Sequence, residues 1–299
     1  MDEATAPNDS EKRVRTLRLV VAYDGSEFSG WQVQPDRSTI QGTLASAIGR
    51  LSGENVLPQG SGRTDAGVHA LRQVVSFRIG SPIPIENWLT ALNHLLPPSI
   101  RVLEVAEAPS DFHARKCARA KTYRYRIYRG AICPPFLSRY VWHYPYPLME
   151  EGMVDAAGLV VGECDFTSFA AVDPERVERM AVATNQSGGA EDDRNRMERR
   201  ALSPVSDDDE CASATGTRVT NIRTVLSSTW TREAEELVYT IRGTGFLHHM
   251  VRNLVGTFLL VGKGTLRPAD IPRILDARDR SAAGPTAPAS GLCLVNVEY

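Results

Sequence analysis

Two kinds of hydrophobic periodicity alternate along this chain, and their order recurs. Residues 15–23 set Leu17, Leu19 and Val21 against polar or smaller partners, and a period of two predicts a strand. Ser38-Thr39-Ile40-Gln41 has the pattern of a capping box, and Ile40, Leu44, Ile48 and Leu51 follow at helical spacing up to Gly53. Residues 56–59 and 73–79 read as strands, the second with Val75 and Phe77 on one side. Pro84 opens a helix over 85–96, with Ile85, Leu89, Leu92 and Leu96 in line, closed by Pro97-Pro98. Residues 100–105 complete the order β-α-β-β-α-β.

A similar order returns over strand 121–128, helix 150–161, strands 221–231 and 237–242, helix 247–261, a short helix near 271–277 and strand 292–298. The expected fold is α/β of the α+β kind. It consists of two ferredoxin-like (RRM-like) βαββαβ subdomains, each an antiparallel sheet with helices on one face. The repeat is one of element order; the residues themselves do not repeat. The subdomains are expected at 14–112 and 113–299. An acidic tail at 1–13 and an insertion at about 173–218 are expected to be disordered. The insertion is rich in Asp, Glu, Arg, Ser and Gly and carries almost no periodic apolar content.

The formal charge of -2 conceals an asymmetry. Residues 1–12 carry -3 and residues 173–210 carry -5, which leaves the rest of the chain at +6. Five cysteines with no Cys-x-x-Cys pair argue against a disulfide framework and a zinc knuckle. The polar, acidic first dozen residues resemble no signal or transit peptide, and the longest apolar stretch is too short to span a bilayer. A soluble cytoplasmic protein is expected.

Three segments carry chemistry. Residues 60–70 hold Gly60, Gly62 and Gly67 around Arg63 and Asp65, which signals unusual backbone angles or a close approach. A tight turn capping its own backbone fits the same residues. Residues 115–129 hold Arg115, Lys116, Arg119, Lys121, Arg124, Arg126 and Arg129 without one acid, interleaved with Tyr123, Tyr125 and Tyr128. Fixed cations suit phosphates and flat rings suit unpaired bases, although each Tyr could equally pack in the core. Residues 243–256 place Met250 and Leu254 on an apolar stripe, with His248 and Arg252 one turn apart beside it. His248-His249 invites a metal reading. Adjacent histidines on a helix point about 100° apart, and no Cys or carboxylate stands at a helpful spacing, so no metal is expected.

Together these segments resemble the tRNA pseudouridine synthase A family. Gly62–Ala70, written Gly62-Arg63-Thr64-Asp65-Ala66-Gly67-Val68-His69-Ala70, is similar to that family's signature loop. Lys121-Thr122-Tyr123-Arg124-Tyr125, Phe246-Leu247-His248-His249-Met250-Val251-Arg252-Asn253 and Ala287-Pro288-Ala289-Ser290-Gly291-Leu292 resemble three further motifs. Tyr23-Asp24-Gly25 followed by Phe28-Ser29-Gly30-Trp31-Gln32 resembles the first. The resemblance spans about 15–172 and 219–299 in order. It implies a homodimer that turns uridine into pseudouridine at positions 38, 39 and 40 of the tRNA anticodon stem-loop, without cofactor, in a cleft between the two subdomains. By motif, Asp65 is the catalytic carboxylate, Tyr123 the active-site tyrosine, Arg252 the partner of Asp65 and Arg63 the residue that helps extrude the nucleotide. Leu292 would line the uracil pocket. Arg115, Arg119, Arg124, Arg126 and His69 are further candidate substrate contacts.

The chemistry suits these residue types. The N1–C1′ bond must break, the uracil must turn, and C5 must bond to C1′. A carboxylate can attack C1′ or abstract a proton to give a glycal. An isolated buried carboxylate takes up a proton, and a neighbouring arginine prevents that. Tyr123 could stack on the uracil and carry away the C5 proton. Two rivals stay open on the residues alone: an RNA-binding protein without catalysis, and a phosphate-ester hydrolase using Asp65 as nucleophile.

Overall fold

The computed structural model describes residues 14–171 and 220–299; the expected disordered tail and insertion lie outside the described residues. The first half follows the predicted order. β1 (Arg15–Tyr23) pairs antiparallel with β3 (His69–Ile79) and with β4 (Ile100–Ala108). Leu17, Leu19, Val21 and Val75 are wholly buried. β2 is only Gln59–Gly60 and sits on β3.

Two helices cover this half. α1 (Ile40–Ser52) starts one residue later than a Ser38 capping box requires. Thr39 is the cap, its hydroxyl accepting from Gly42 N at 3.3 Å. Gln41 does not close the box. Its amide instead accepts from Val33 N and donates to the Pro58 carbonyl, tying the helix to two loops. Gly53 ends the helix in the left-handed region at φ 75°. α2 (Ile85–Leu95) buries Trp88 and Leu92, and Leu89 faces outward. The expected stripe is therefore rotated. The indole of Trp88 fills the space against Phe77, 6.0 Å between centroids, and the largest ring sets the helix orientation.

The second half holds β5 (Ala120–Tyr128), β6 (Trp142–His143), α3 (Glu150–Gly158), β7 (Gly162–Asp165), β8 (Ile222–Glu233), β9 (Glu236–Gly243), α4 (Met250–Gly262), α5 (Asp270–Ala277) and β10 (Leu292–Glu298). β5 pairs with β9, β9 with β8, and β8 with β7, all antiparallel. Phe258 of α4 meets Tyr239 of β9 edge-on at 5.4 Å, seating the long helix on this part of the sheet.

Among the described residues the two halves share one ten-stranded sheet, with eight strands in the order β4-β1-β3-β10-β5-β9-β8-β7, β2 beside β3 and β6 beside β5. The C-terminal strand β10 joins them. It lies parallel to β3 through Cys293↔His69 and Leu294↔Ala70, and antiparallel to β5 through Leu292↔Tyr125 and Leu294↔Tyr123. Element order foretold two sheets and could not reveal that the last strand fuses them. The loop before β3 and the strand β5 are thereby brought within two strand positions of each other. Among the described residues no helix is long and apolar enough to cross a membrane.

Candidate active site

The loop from Gly60 to Val68 enters β3, and its shape is fixed from several sides. Ser61 N donates to the Val74 carbonyl at 2.8 Å, and the Ser61 hydroxyl meets Gln73 Oε1 at 2.5 Å. The Gln73 amide donates to the Gly62 carbonyl at 2.7 Å. Ser61 and Gln73 are both fully buried, so each hydrogen bond replaces one that water would have made. Lys121 of β5 donates to the Ser61 carbonyl, a link from the second half to this loop. Thr64 turns inward to Tyr23 Oη at 2.8 Å, while Arg63 beside it is exposed.

Two glycines show why other residues would not serve. Gly67 has φ 78°, in the left-handed region. Gly25 lies so close beneath the loop that a β-carbon would come to 2.0 Å from the Val68 carbonyl oxygen. The loop is thus an ordered cradle rather than a turn capped only by its own side chains.

Asp65 points from this cradle to the start of α4, 187 residues further along the chain. Arg252 Nη1 donates to Asp65 Oδ2 at 2.9 Å, and Arg252 Nε donates to the Ala287 carbonyl at 2.8 Å. The guanidinium is therefore aimed by the backbone of the Ala287–Leu292 segment. His248 Nε2 lies 3.4 Å from Asp65 Oδ1, and His249 Nε2 lies 3.4 Å from Oδ2.

Here the sequence expectation about the histidines fails. The helix begins at Met250, not Leu247, and the histidines precede it. His249 is the N-cap in the left-handed region, φ 59°, which turns both rings to one side at 4.0 Å between centroids. That backbone costs a residue with a β-carbon about 1–2 kcal/mol. The missing carboxylate is Asp65 itself, remote in sequence and adjacent in space. Asp65, His248 and His249 place one ligand atom each within 4.8 Å of one another.

The other predicted residues divide. Tyr123 is buried beside Asp65, edge-on to Phe246 at 5.1 Å, and its phenol is pushed well above the usual value by burial and by the Asp65 charge. Leu292 is buried on β10 opposite Tyr125, and Leu294 is buried opposite Tyr123. Arg115 and Arg119 are exposed at the approach to β5. Arg124 is half-buried with its Nε away from any acceptor.

Arg126 and His69 differ from expectation. Arg126 forms a two-pronged pair with Glu236, with Nε donating to Oε2 at 2.6 Å. The segment is free of acids in sequence, but the adjacent strand supplies one, so Arg126 is engaged inside the protein. His69 is buried and engaged on both ring nitrogens. Nδ1 accepts from Gly25 N at 3.1 Å and lies 3.2 Å from Asp24, and Nε2 meets the Arg139 carbonyl at 3.1 Å. Burial, the dominant effect, holds its pKa below the ordinary histidine value. His69 locks three chain segments together and presents no free edge to a substrate. Open depressions beside α1, around Arg37 and Arg50, and beside α5, around Cys164 and Arg278, lie away from Asp65 and gather no comparable set of groups.

Sequence reasoning missed Gln73, Ser61 and Lys121 as supports of the loop. Gln73 alone left a trace, a polar residue at an inward position of a strand. A family model described as tRNA pseudouridine synthase matches residues 19–115 and 206–299. A protein of Solibacter usitatus (strain Ellin6076) named tRNA pseudouridine synthase A is 44% identical over 286 residues, covering 96% of this chain and 100% of its own length. Relatives of the same name from Moorella thermoacetica and Caldicellulosiruptor bescii are 41% and 39% identical, each over at least 95% of this chain and at least 99% of their own length.

Proposed function

The chain belongs to the tRNA pseudouridine synthases, isomerases that convert uridine to pseudouridine in tRNA, and we propose that it acts on positions 38, 39 and 40 of the anticodon stem-loop. The observation that carries the reading is the Asp65 carboxylate held at 2.9 Å by Arg252 where the two halves meet, with Tyr123 beside it. We read 14–112 and 113–299 as the two walls of that site, in a cytoplasmic homodimer.

Asp65 is the group that attacks C1′ or takes the sugar proton. Arg252 and His249 lie at Oδ2, and Oδ1 faces the partly exposed His248, so Oδ1 is the oxygen turned to the substrate. Arg252 sets a fixed positive charge beside the carboxylate in this partly closed site. Tyr123 serves as a platform and hydrogen-bond donor for the uracil. Burial and the Asp65 charge raise its pKa, so the phenol keeps its own proton and the C5 proton passes to water. Leu292 and Leu294 supply the apolar wall behind it. The uridine must leave its stack to reach Asp65, and exposed Arg63 is placed on the loop to help. In this reading Arg115, Arg119 and Arg124 meet phosphates, which the exposure of the first two supports. No step of this scheme calls for a cofactor or a metal.

Pseudouridine mapping of tRNA treated with the purified protein tests the reading. Modification confined to 38–40 is expected. Tritium release from C5-labelled uridine should persist in EDTA. Binding of tRNA without any release would favour the RNA-binding alternative.

A further inference from the structure

We propose that Asp65, His248 and His249 form a binding site for one first-row transition ion of the zinc or cobalt class, and that occupation of this site and catalysis at Asp65 exclude each other. The second half of the proposal rests on Asp65 being the reacting carboxylate. The first rests on geometry alone.

The imidazole nitrogens stand 3.4 Å from the two carboxylate oxygens. A charge-assisted N–H···O bond is shorter, about 2.7–2.9 Å. Two atoms that each lie about 2.0–2.1 Å from a shared tetrahedral ion are separated by about 3.3 Å. The spacing therefore suits joint ligands better than it suits hydrogen-bonded partners. All three donor atoms fall within 4.8 Å, and the side chain of His248, about a third exposed, has room to close the remainder. The left-handed backbone of His249 is an independent feature of the same place. It turns a ring that a regular helix would point away toward the one beside it. Imidazole ligates through the lone pair of its neutral form.

Two imidazoles and one carboxylate suit zinc, cobalt or nickel rather than magnesium or calcium. Three protein ligands leave a fourth position open toward solvent. Arg252 Nη1, 2.9 Å from Oδ2, opposes the ion by charge and by competing for the same oxygen. The affinity is consequently limited by Arg252, which suits reversible inhibition rather than a permanent structural metal. An ion on the carboxylate withdraws the lone pair that would otherwise meet the sugar.

The test uses the full chain after EDTA treatment and buffer exchange. Cobalt(II) is titrated into protein alone, and its visible ligand-field absorption is followed; zinc(II) binding is measured by calorimetry. One ion per chain is expected. Binding should weaken at least tenfold in His248→Gln, in Asp65→Asn and in His249→Asn, where Asn is chosen because it tolerates the left-handed backbone. Arg252→Met should bind several-fold more tightly. Pseudouridine formation by the unaltered protein should fall with zinc(II) at the concentration that half-fills the site, and EDTA should restore it. Absence of saturable binding would overturn the site, as would binding that survives both histidine variants in folded protein. Full activity with the site saturated would overturn the exclusion. A protein that is active in EDTA and binds no ion defeats this proposal alone. One that binds the ion through these residues but never makes pseudouridine defeats the synthase reading and leaves the site standing.

Discussion

The Asp65 loop and the strand β5 both carry arginine–carboxylate pairs, but the pairs do different things. Arg252 reaches Asp65 from another half of the molecule and is itself aimed by the Ala287 carbonyl, so the pair closes a junction. Arg126 reaches Glu236 across neighbouring strands, inside an antiparallel ladder that would hold the two close regardless. The first carboxylate keeps one oxygen without an arginine and has a tyrosine and two histidines around it. The second has both oxygens taken by one guanidinium. A count of charges along the sequence treats these arginines alike. The position of the nearest acid separates them.

The largest expected effect tests the junction. Asp65→Asn keeps shape and polarity but removes the charge. It should fold, bind tRNA within a few-fold of the unaltered protein, and make no detectable pseudouridine. Arg252→Met should lower the rate constant at least a hundredfold with little change in tRNA affinity, and adding it to Asp65→Asn should cost nothing further, because groups acting as one unit are lost once. Single-turnover assays with mapping of the product decide this. Retained activity in Asp65→Asn would end the proposed mechanism. A loss of affinity without loss of rate in Arg252→Met would make that residue an RNA contact.

A second effect, smaller, tests the cradle rather than its charge. Gly25→Ala puts a methyl group into the Val68 carbonyl, so the loop must move. The rate should drop at least tenfold, and a crystal structure should show the displacement confined to 24–28 and 64–69. An undisturbed rate would mean that the loop adopts its working shape only around the substrate.

Much of the fold was legible because strands and helices announce themselves by period. β1 and β10 fall where alternation places them, and Gly53 stops α1 as a left-handed cap should. The errors have physical causes. Leu89 kept the spacing of a buried residue, but Trp88 is larger and took the interior. Gln41 had the spacing of a capping box, but two loops offered it better partners. At the site, Asp65, Tyr123 and Arg252 were named by resemblance, and the structure brings the three side chains near one another. His248 and His249 were misjudged because a helix was assumed to run through them, and the helix-breaking φ of His249 leaves no mark in composition. The engagement of Arg126 and His69 depends on partners 110 and 44–70 residues away, which no local pattern encodes.

The strand's own arginines provide the next contrast. Arg119→Ala should weaken tRNA binding and lower its salt slope by about one unit, as loss of one phosphate contact does. Arg126→Ala should leave the slope unchanged and instead cost about 1–2 kcal/mol of stability, since it strands Glu236 half-buried without its partner. Binding isotherms at several salt concentrations and urea unfolding separate the two. If Arg126→Ala moved the slope and spared the stability, the pair with Glu236 would open when RNA arrives.

The smallest effect concerns Lys121, which belongs to the strand by sequence and to the loop by its bond to the Ser61 carbonyl. Burial first, and the Arg115 cation second, lower its pKa from the ordinary value of 10.5 to about 8. The folded protein thus releases this proton near pH 8, whereas the unfolded chain holds it to about 10.5. Between those values the unfolded state binds more protons, so this group makes the fold more stable as pH rises. Below pH 8 the charged form is present in both states, and the cost of burying it is paid in full. Lys121→Met removes the titration while keeping most of the stem. The stability of the unaltered protein minus that of Lys121→Met should therefore climb from pH 8 to 9, by at most about 1 kcal/mol. Urea unfolding of both proteins at each pH measures it, and the subtraction cancels the tyrosines and cysteines that also titrate there. A flat difference would place the Lys121 ammonium in contact with water, and the strand would then hold the loop by its ladder through β10 alone.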